Sequence, residues 1–410
     1  MIDPTVIKMS YRNLWRRKIR TIIVIICIAV GLTGLIFTGG LYDGMLLQMK
    51  ESIIKSDIGH ITIYKKGFRS SKKLSLIINN PENIEKILAE NQNIDTYFRR
   101  IKVTGMISSA RYTQGVHIIG IEPKREKNAS NLAESITKGT YELEPKKNQI
   151  IIGAELADKL HVRLKKKVVI MGQAKDKSIV SNAMRVVGVA RANDQQIDKY
   201  AGFISLEKAQ AMFKVDKGVT QISIMLKNHE KLDETQQFLK ETLGTEYLDI
   251  LTWKEQYPIG EFMDVAMQYF MGISYVILFL AVGIGIFDIT LISILERIQE
   301  FGVLLAIGTR FKKIAQVIIY ESLMVGGMAF IVGIILGYSL LITFKYVGID
   351  LSAFAAGVSF FGMSSIMYPT VKISYFFTAL IAVSITSFIA VLWPIWILKK
   401  LKPIQSISFM

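Results

Sequence analysis

Residues 289–336 read ITLISILERIQEFGVLLAIGTRFKKIAQVIIYESLMVGGMAFIVGIIL, a short charged segment between two long apolar stretches. Only segments whose backbone hydrogen bonds are satisfied internally cross the hydrocarbon core of a bilayer. Glu296, Arg297, Glu300, Arg310, Lys312 and Lys313 therefore predict a water-facing turn between two membrane spans, open to an aqueous partner.

About 20 apolar residues at a rise of about 1.5 Å cross a core of about 30 Å. Uncharged runs of that length occur four times: Thr21–Tyr42, Val265–Phe287 (apolar again from Ile289 after Asp288), Ser322–Phe344 and Ile373–Leu398. A mean hydropathy of +0.35 agrees. The predicted spans are 21–43, 265–295, 314–344 and 373–398.

Lysine and arginine in short flanks set topology. They concentrate before the first span (1–20: Lys8, Arg12, Arg16, Arg17, Lys18, Arg20), in the 296–313 turn, and in the 399–410 tail (Lys399, Lys400, Lys402). These three segments are predicted cytoplasmic. The 345–372 loop carries only Lys345, Asp350 and Lys372 and is predicted outside, with residues 44–264. A cleavable signal peptide fits residues 1–43 poorly, because the apolar run exceeds an h-region of roughly 7–15 residues and no A-x-A-like site follows. The single cysteine, Cys27, lies in the first span, so the outer segment has no disulfides. It is read as a small apolar filler.

Residues 44–264 hold 35 basic and 27 acidic residues, half of the net charge of +16. Those cations are scattered among acids without an aromatic-basic motif, which argues against a nucleic-acid partner. Strand-like runs rich in β-branched residues occur at 60–64, 102–108, 116–121, 149–152, 167–171, 184–190, 219–226 and 247–251. Helices are expected at Pro81–Glu90, Ala154–His161, Leu206–Phe213 with Ser205 as cap, and His229–Leu243. The expected architecture is a membrane protein of four transmembrane α-helices with a large α+β extracytoplasmic domain inserted between helices 1 and 2. Within it, a membrane-proximal module of 44–110 plus 215–264 is expected to carry an inserted module of 110–215.

No G-x-x-x-x-G-K-[ST], H-E-x-x-H, C-x-x-C or G-x-S-x-G occurs, and His60, His117, His161 and His229 are far apart. Neither a catalytic residue nor a metal site is expected. The histidines are read as structural.

Three stretches carry a resemblance. YRNLWRRKIRT (Tyr11–Thr21) is similar to an R-N-L-x-R-x-x-x-R-T opening; ERIQEFGVLLAIGTRFKKIAQVIIYES (Glu296–Ser322) matches E-R-x-x-E-(I/F)-G-(V/I)-L-x-A-(I/M)-G followed by Q and an E-(S/A) pair; and WPIWILKKLKPIQSI resembles a closing P…L-P-I-x-x-(I/L). IGHITIYKKGF (Ile58–Phe68) and IIIGAELADKLHVRLKKKVVI (Ile150–Ile170) extend the likeness into the outer domain. The chain resembles the FtsX-like permeases of ABC transporters, in the branch of the lipoprotein-releasing (Lol) and macrolide-exporter (MacB) systems. It departs at Asp288, where many relatives have Asn, and at LKKKV (Leu164–Val168), where V-G-D-x-V is usual.

The resemblance implies a bacterial inner-membrane subunit that binds no cofactor itself. ATP and Mg would sit in a cytoplasmic ABC ATPase dimer, and a second permease subunit, identical or homologous, would complete the transporter. Coupling to the ATPase would fall to Glu296, Arg297, Glu300, Phe301, Gly302, Leu304, Ala306 and Gly308, on a helix with one charged and one apolar face. Gly326, Gly333 and Gly337 would pack the third span against the first span or a second copy. The intramembrane acids Asp288 and Glu321 are read as ion-paired near the cytosolic interface, with Arg297, Arg310 or Lys312 as partner, against a proton or transport role.

Three functions follow from the resemblance: extraction of lipoproteins to a periplasmic carrier, split-subunit export of drugs, peptides or toxins, and FtsX-like scaffolding that regulates cell-wall hydrolases. An outer domain of about 220 residues favours the first two. With no ATP-binding motif in the 410 residues, lipoprotein release is the leading expectation.

Overall fold

The computed structural model describes residues 4–16, 18–127, 129–192, 195–354, 357 and 366–400. Arg17, Lys402 and the closing motif beyond Lys400 lie outside the described residues. Contacts divide the chain into a membrane unit (Met1–Leu46, Asp264–Ile349, Ile366–Met410) and an inserted unit (Leu47–Met263 with Asp350–Ser365).

The helices of interest are α1 (Pro4–Arg16), α2 (Lys18–Ile53), α3 (Pro81–Glu90), α4 (Leu206–Phe213), α5 (Leu232–Leu243), α6 (Pro258–Glu296), α7 (Ile298–Ala306), α8 (Phe311–Val347) and α9 (Ser374–Lys400). Among the described residues, four helices (α2, α6, α8 and α9) are long and apolar enough to cross a membrane. α2, α6 and α8 outrun at both ends the uncharged stretches that revealed them, because helix propensity carries through the charged flanks once hydrogen bonding has begun. Apolar residues also cover the outward faces of all four, among them Val30, Ile277, Ile335 and Phe388. A helix apolar all round suits lipid on one side and protein on the other. Cys27 lies on such an exposed face rather than filling a core.

Small residues let α8 approach its neighbours. A Cβ on Gly333 would sit 2.8 Å from Leu32 Cβ, and one on Gly337 would sit 3.0 Å from Ile36 Cδ1, so both glycines face α2. Gly326 instead faces α9, against Val383 and Ser387. At the far end of the unit Lys372 pairs with Asp43 at 2.7 Å, and Tyr375 Oη donates to Asp43 Oδ2 at 2.5 Å.

The inserted unit is built on one sheet of ten strands: β1 (Ile61–Lys65), β2 (Ile94–Ser108), β3 (Thr113–Ile121), β4 (Ile136–Gly139), β5 (Gln149–Gly153), β6 (Lys167–Gln173), β7 (Ile179–Ala190), β8 (Ala201–Ser205), β9 (Gln221–Leu226) and β10 (Leu248–Thr252). Their order is β10-β1-β9-β2-β3-β8-β5-β7-β4, with β6 pairing β2 and β7 off that path. Strands from the two ends of the insertion gather on one side of β2 and those from its middle on the other. The 15-residue β2 serves both, pairing β9 through Ile94–Arg100 and β3 through Ile101–Ser108.

Helices cover one face of the sheet by ordinary amphipathic logic. α4 buries Leu206, Ala209, Met212 and Phe213, and the Lys208 amide donates to its cap, Ser205 Oγ. The segment expected as one helix at 229–243 breaks into a 3₁₀ turn, His229–Lys231, followed by α5. His60 accepts the Leu226 amide at Nδ1, and burial, reinforced by His229, pushes it down to about 4, so it stays neutral at physiological pH.

Among the described residues the largest fully buried side chain is Arg100. It pairs with Glu126 at 2.6 Å and stacks on Phe98 at 4.9 Å, tying the short helix Pro123–Glu126 to β2. Removing one member of such a pair leaves a buried charge uncompensated.

Two outcomes are expected. Gly333→Leu lowers the unfolding free energy in detergent by about 1–3 kcal/mol through overpacking, while Gly327→Leu, which meets open space, leaves it unchanged. Arg100→Met costs about 3–5 kcal/mol, read by chemical denaturation, and the double variant Arg100→Met/Glu126→Leu recovers most of it.

Candidate coupling site

α6 ends at Glu296, and Arg297 leaves helical geometry at φ −113° and ψ 16°, so the expected single helix of 296–308 is shorter. The chain resumes as α7 from Ile298 to Ala306 and turns at Gly308, whose φ of +94° belongs to the left-handed region that glycine adopts without strain. A new helix begins at Phe311. The break at Arg297 lets its side chain fold back, with the guanidinium 4.9 Å above the Phe301 ring.

The charged residues Glu296, Arg297 and Glu300 are engaged within the chain. Arg297 donates from Nε to Glu300 Oε2 at 3.0 Å and from Nη1 to Glu321 Oε1 at 3.1 Å. Arg16 Nη1 donates to Glu300 Oε1 at 2.7 Å, and Arg20 grips Glu296 with two bonds of 3.0 Å. Asn13 Nδ2 donates to Glu321 Oε1 at 2.7 Å, and the buried Ser10 hydroxyl reaches the Val317 carbonyl at 3.1 Å. A bidentate guanidinium–carboxylate pair fixes angle as well as distance, so α1 and the start of α2 brace the end of α6, α7 and α8 together. Hydrogen bonds from Arg16 and then Arg297 hold the Glu300 carboxyl below its ordinary range.

The apolar residues of α7 divide. Ile298, Phe301 and Gly302 are buried in the unit and Leu304 is half-buried. Val303, Ala306, Ile307 and Gly308 are exposed; Ile307 is 73% exposed. Residues 299, 303, 306 and 307 lie on one helical face at spacings of three and four, so the surface offered to solvent is a small apolar stripe with Gln299 and Glu300 beside it. Of the two acids, Glu321 has the expected Arg297 partner. Asp288 is exposed on α6 and has no ionic partner among the described residues.

Asn13, Arg16 and Arg20 were not singled out in the sequence as partners of the turn. The signal was present in their own spacing of three and four, which puts them on one side of a helix. Among the described residues no group of three or more His, Cys, Asp and Glu is placed to hold a metal. The arrangement ties α7 to its neighbours through ion pairs on one side and leaves an apolar stripe exposed on the other.

Four helices long and apolar enough to cross a membrane, a large α+β insertion after the first and a short braced helix between the second and third make the architecture that the family comparisons identify as a membrane permease. The description "MacB-like periplasmic core domain" matches residues 21–242, and "FtsX-like permease C-terminal" matches residues 272–403. The chain belongs to this family and is an ABC transporter permease of the type shared by the FtsX, MacB and Lol proteins. It is 25% identical over 426 aligned residues, covering 100% of both chains, to the lipoprotein-releasing system transmembrane protein LolC of Buchnera aphidicola subsp. Schizaphis graminum. It is 23% identical to an uncharacterized ABC transporter permease of Methanocaldococcus jannaschii, over 81% of this chain and 82% of that one. The solved periplasmic region of MacB from Actinobacillus actinomycetemcomitans aligns with a TM-score of 0.36 at 14% identity, over 51% of this chain and 94% of that one.

Because the folded-state value of Glu300 is depressed, its contribution to the brace is complete above the ordinary value of 4.5 and is lost as pH falls below it. Hydrogen exchange of the α7 amides, corrected for intrinsic rates, is expected to hold steady from pH 7 to pH 5 on this account, on the order of the ordinary titration range. Arg16→Ala is expected to accelerate that exchange about two- to fivefold at neutral pH, the range of an exposed ion pair.

Proposed function

We propose that this permease converts the closing of a separate cytoplasmic ABC ATPase dimer into movement of its inserted domain. ATP and Mg belong to that partner. The observation that carries the reading is the exposed stripe Val303–Ala306–Ile307 on a helix held by Arg16 and Arg297, with Arg20 gripping the end of α6 before it: a groove on the ATPase can take the apolar residues while the ion pairs pass the push to α1, α2 and α8. On this reading the chain ends and α7 face the cytoplasm of a bacterial cell, the inserted domain is periplasmic, and a second permease subunit completes the complex in the inner membrane.

The cargo we favour is a lipoprotein drawn from the inner membrane and passed to a periplasmic carrier. Alignment with a lipoprotein-releasing protein over the whole of both chains, insertion included, supports it. Split-subunit export is the second reading, supported by the MacB-like core domain over residues 21–242.

Val303→Asp places a charge in the proposed contact and is expected to lower transport-coupled ATPase activity of the reconstituted complex about tenfold or more, with the fold unchanged by circular dichroism. Unaltered coupling would defeat the proposed contact. Depletion of the protein is expected to strand outer-membrane lipoproteins in the inner membrane; an unchanged distribution removes lipoproteins as cargo and favours export.

A further inference from the structure

The helix-covered face of the inserted sheet is apolar, but part of the opposite face is not. Directly opposed residues on neighbouring strands point to the same side of a sheet. The register therefore aligns Tyr64, Gln221 and Arg100 across β1, β9 and β2, and Lys102, Ile119 and Phe203 across β2, β3 and β8. Thr104 and His117 form the next row, with the Thr104 hydroxyl 3.5 Å from His117 Nδ1. Arg100 is covered by Glu126; Lys102 and His117 line a cavity of about 310 Å³.

The short helix Phe68–Ser71 and the residue after it form one rim, bringing Arg69 and Lys72 to the opening, with Tyr257 beside them. Arg69 donates to the Gln256 main-chain carbonyl, which fixes its side chain along that rim. Among the described lining residues there are three cations and a histidine and no carboxylate. Buried Tyr64, Phe68 and Phe203 supply an apolar floor.

One sign of charge on low-dielectric walls concentrates field and attracts the opposite ion. The volume stands at the small end of ligand cavities, about 300–1,000 Å³, too small for a folded partner. We infer that this cavity binds a small amphiphilic anion, with a phosphate or carboxylate head met by Lys102 and Lys72 and a short apolar body lying against Phe203 and Phe68. The head belongs to a free metabolite-sized molecule or to a lipid headgroup. The site goes beyond the coupling role, and its test needs no ATPase, so the two stand or fall separately.

The test uses the full chain in phosphatidylcholine nanodiscs, titrated calorimetrically with hexyl phosphate, hexanol and inorganic phosphate, with empty discs subtracted. Saturable binding of hexyl phosphate, at least about tenfold tighter than hexanol, is expected. Lys102→Gln and Lys72→Gln are each expected to weaken it about tenfold, the scale of one charge-assisted hydrogen bond. Lys72 is exposed, so its variant tests the site without disturbing the core. Competition by phosphatidylglycerol in the disc assigns the head to a lipid; competition by inorganic phosphate alone assigns it to a free anion. Equal binding of hexanol and hexyl phosphate, or an unchanged affinity in Lys72→Gln and Lys102→Gln, overturns the inference.

Discussion

The membrane unit depends on Arg297 lying between Glu300 and Glu321. Apolar helices in lipid gain little from facing one another rather than the hydrocarbon, so their packing alone fixes angle and register weakly. A guanidinium shared by two carboxylates does fix them, because letting Glu321 go leaves a charge in poorly hydrated surroundings. Arg297 is 16% and Glu321 12% exposed, so this penalty is substantial, whereas Arg16 at 69% is a solvated outer brace. Strength thus increases inward from the surface pair to the shielded one, and α7 hangs from the shielded one.

The opposite end of the same helices uses a different device. There Asp43 collects Lys372 and the Tyr375 hydroxyl, and between the two polar ends the contact is made by glycines against Leu32 and Ile36. The unit is pinned by charge at both ends and by close backbone approach in the middle.

The spans were legible because lipid demands long uncharged runs, and α4 with its Ser205 cap was legible because capping and amphipathic spacing are local rules. What escaped depended on tertiary context. α1 carries three cations and Asn13 and finds its partners on helices about 300 positions away, as in Asn13 with Glu321, 308 positions apart. β4 and β8 are strands of four and five residues, short and glycine-containing, and their pairing comes from neighbours. The charge of the 296–308 turn was legible, but hydropathy does not say that Glu296, Arg297 and Glu300 bond within the chain. That follows only once α1 is in place. Nor does composition reveal the cavity at Lys102, since alternate positions of three strands combine to make it.

The order of strands also dictates a schedule. Ile61 pairs with Thr252 and with Ile224, and β2 with β9, so the earliest strands made have their partners among the last. Loop closure over such separations is slow. During synthesis β1 and the first half of β2 expose unpaired edges, the state most prone to mispairing, and the sheet can close only when the chain has been made nearly to Pro258, where α6 begins. Maturation of the domain and entry of the second span into the bilayer therefore fall at nearly the same moment in biogenesis.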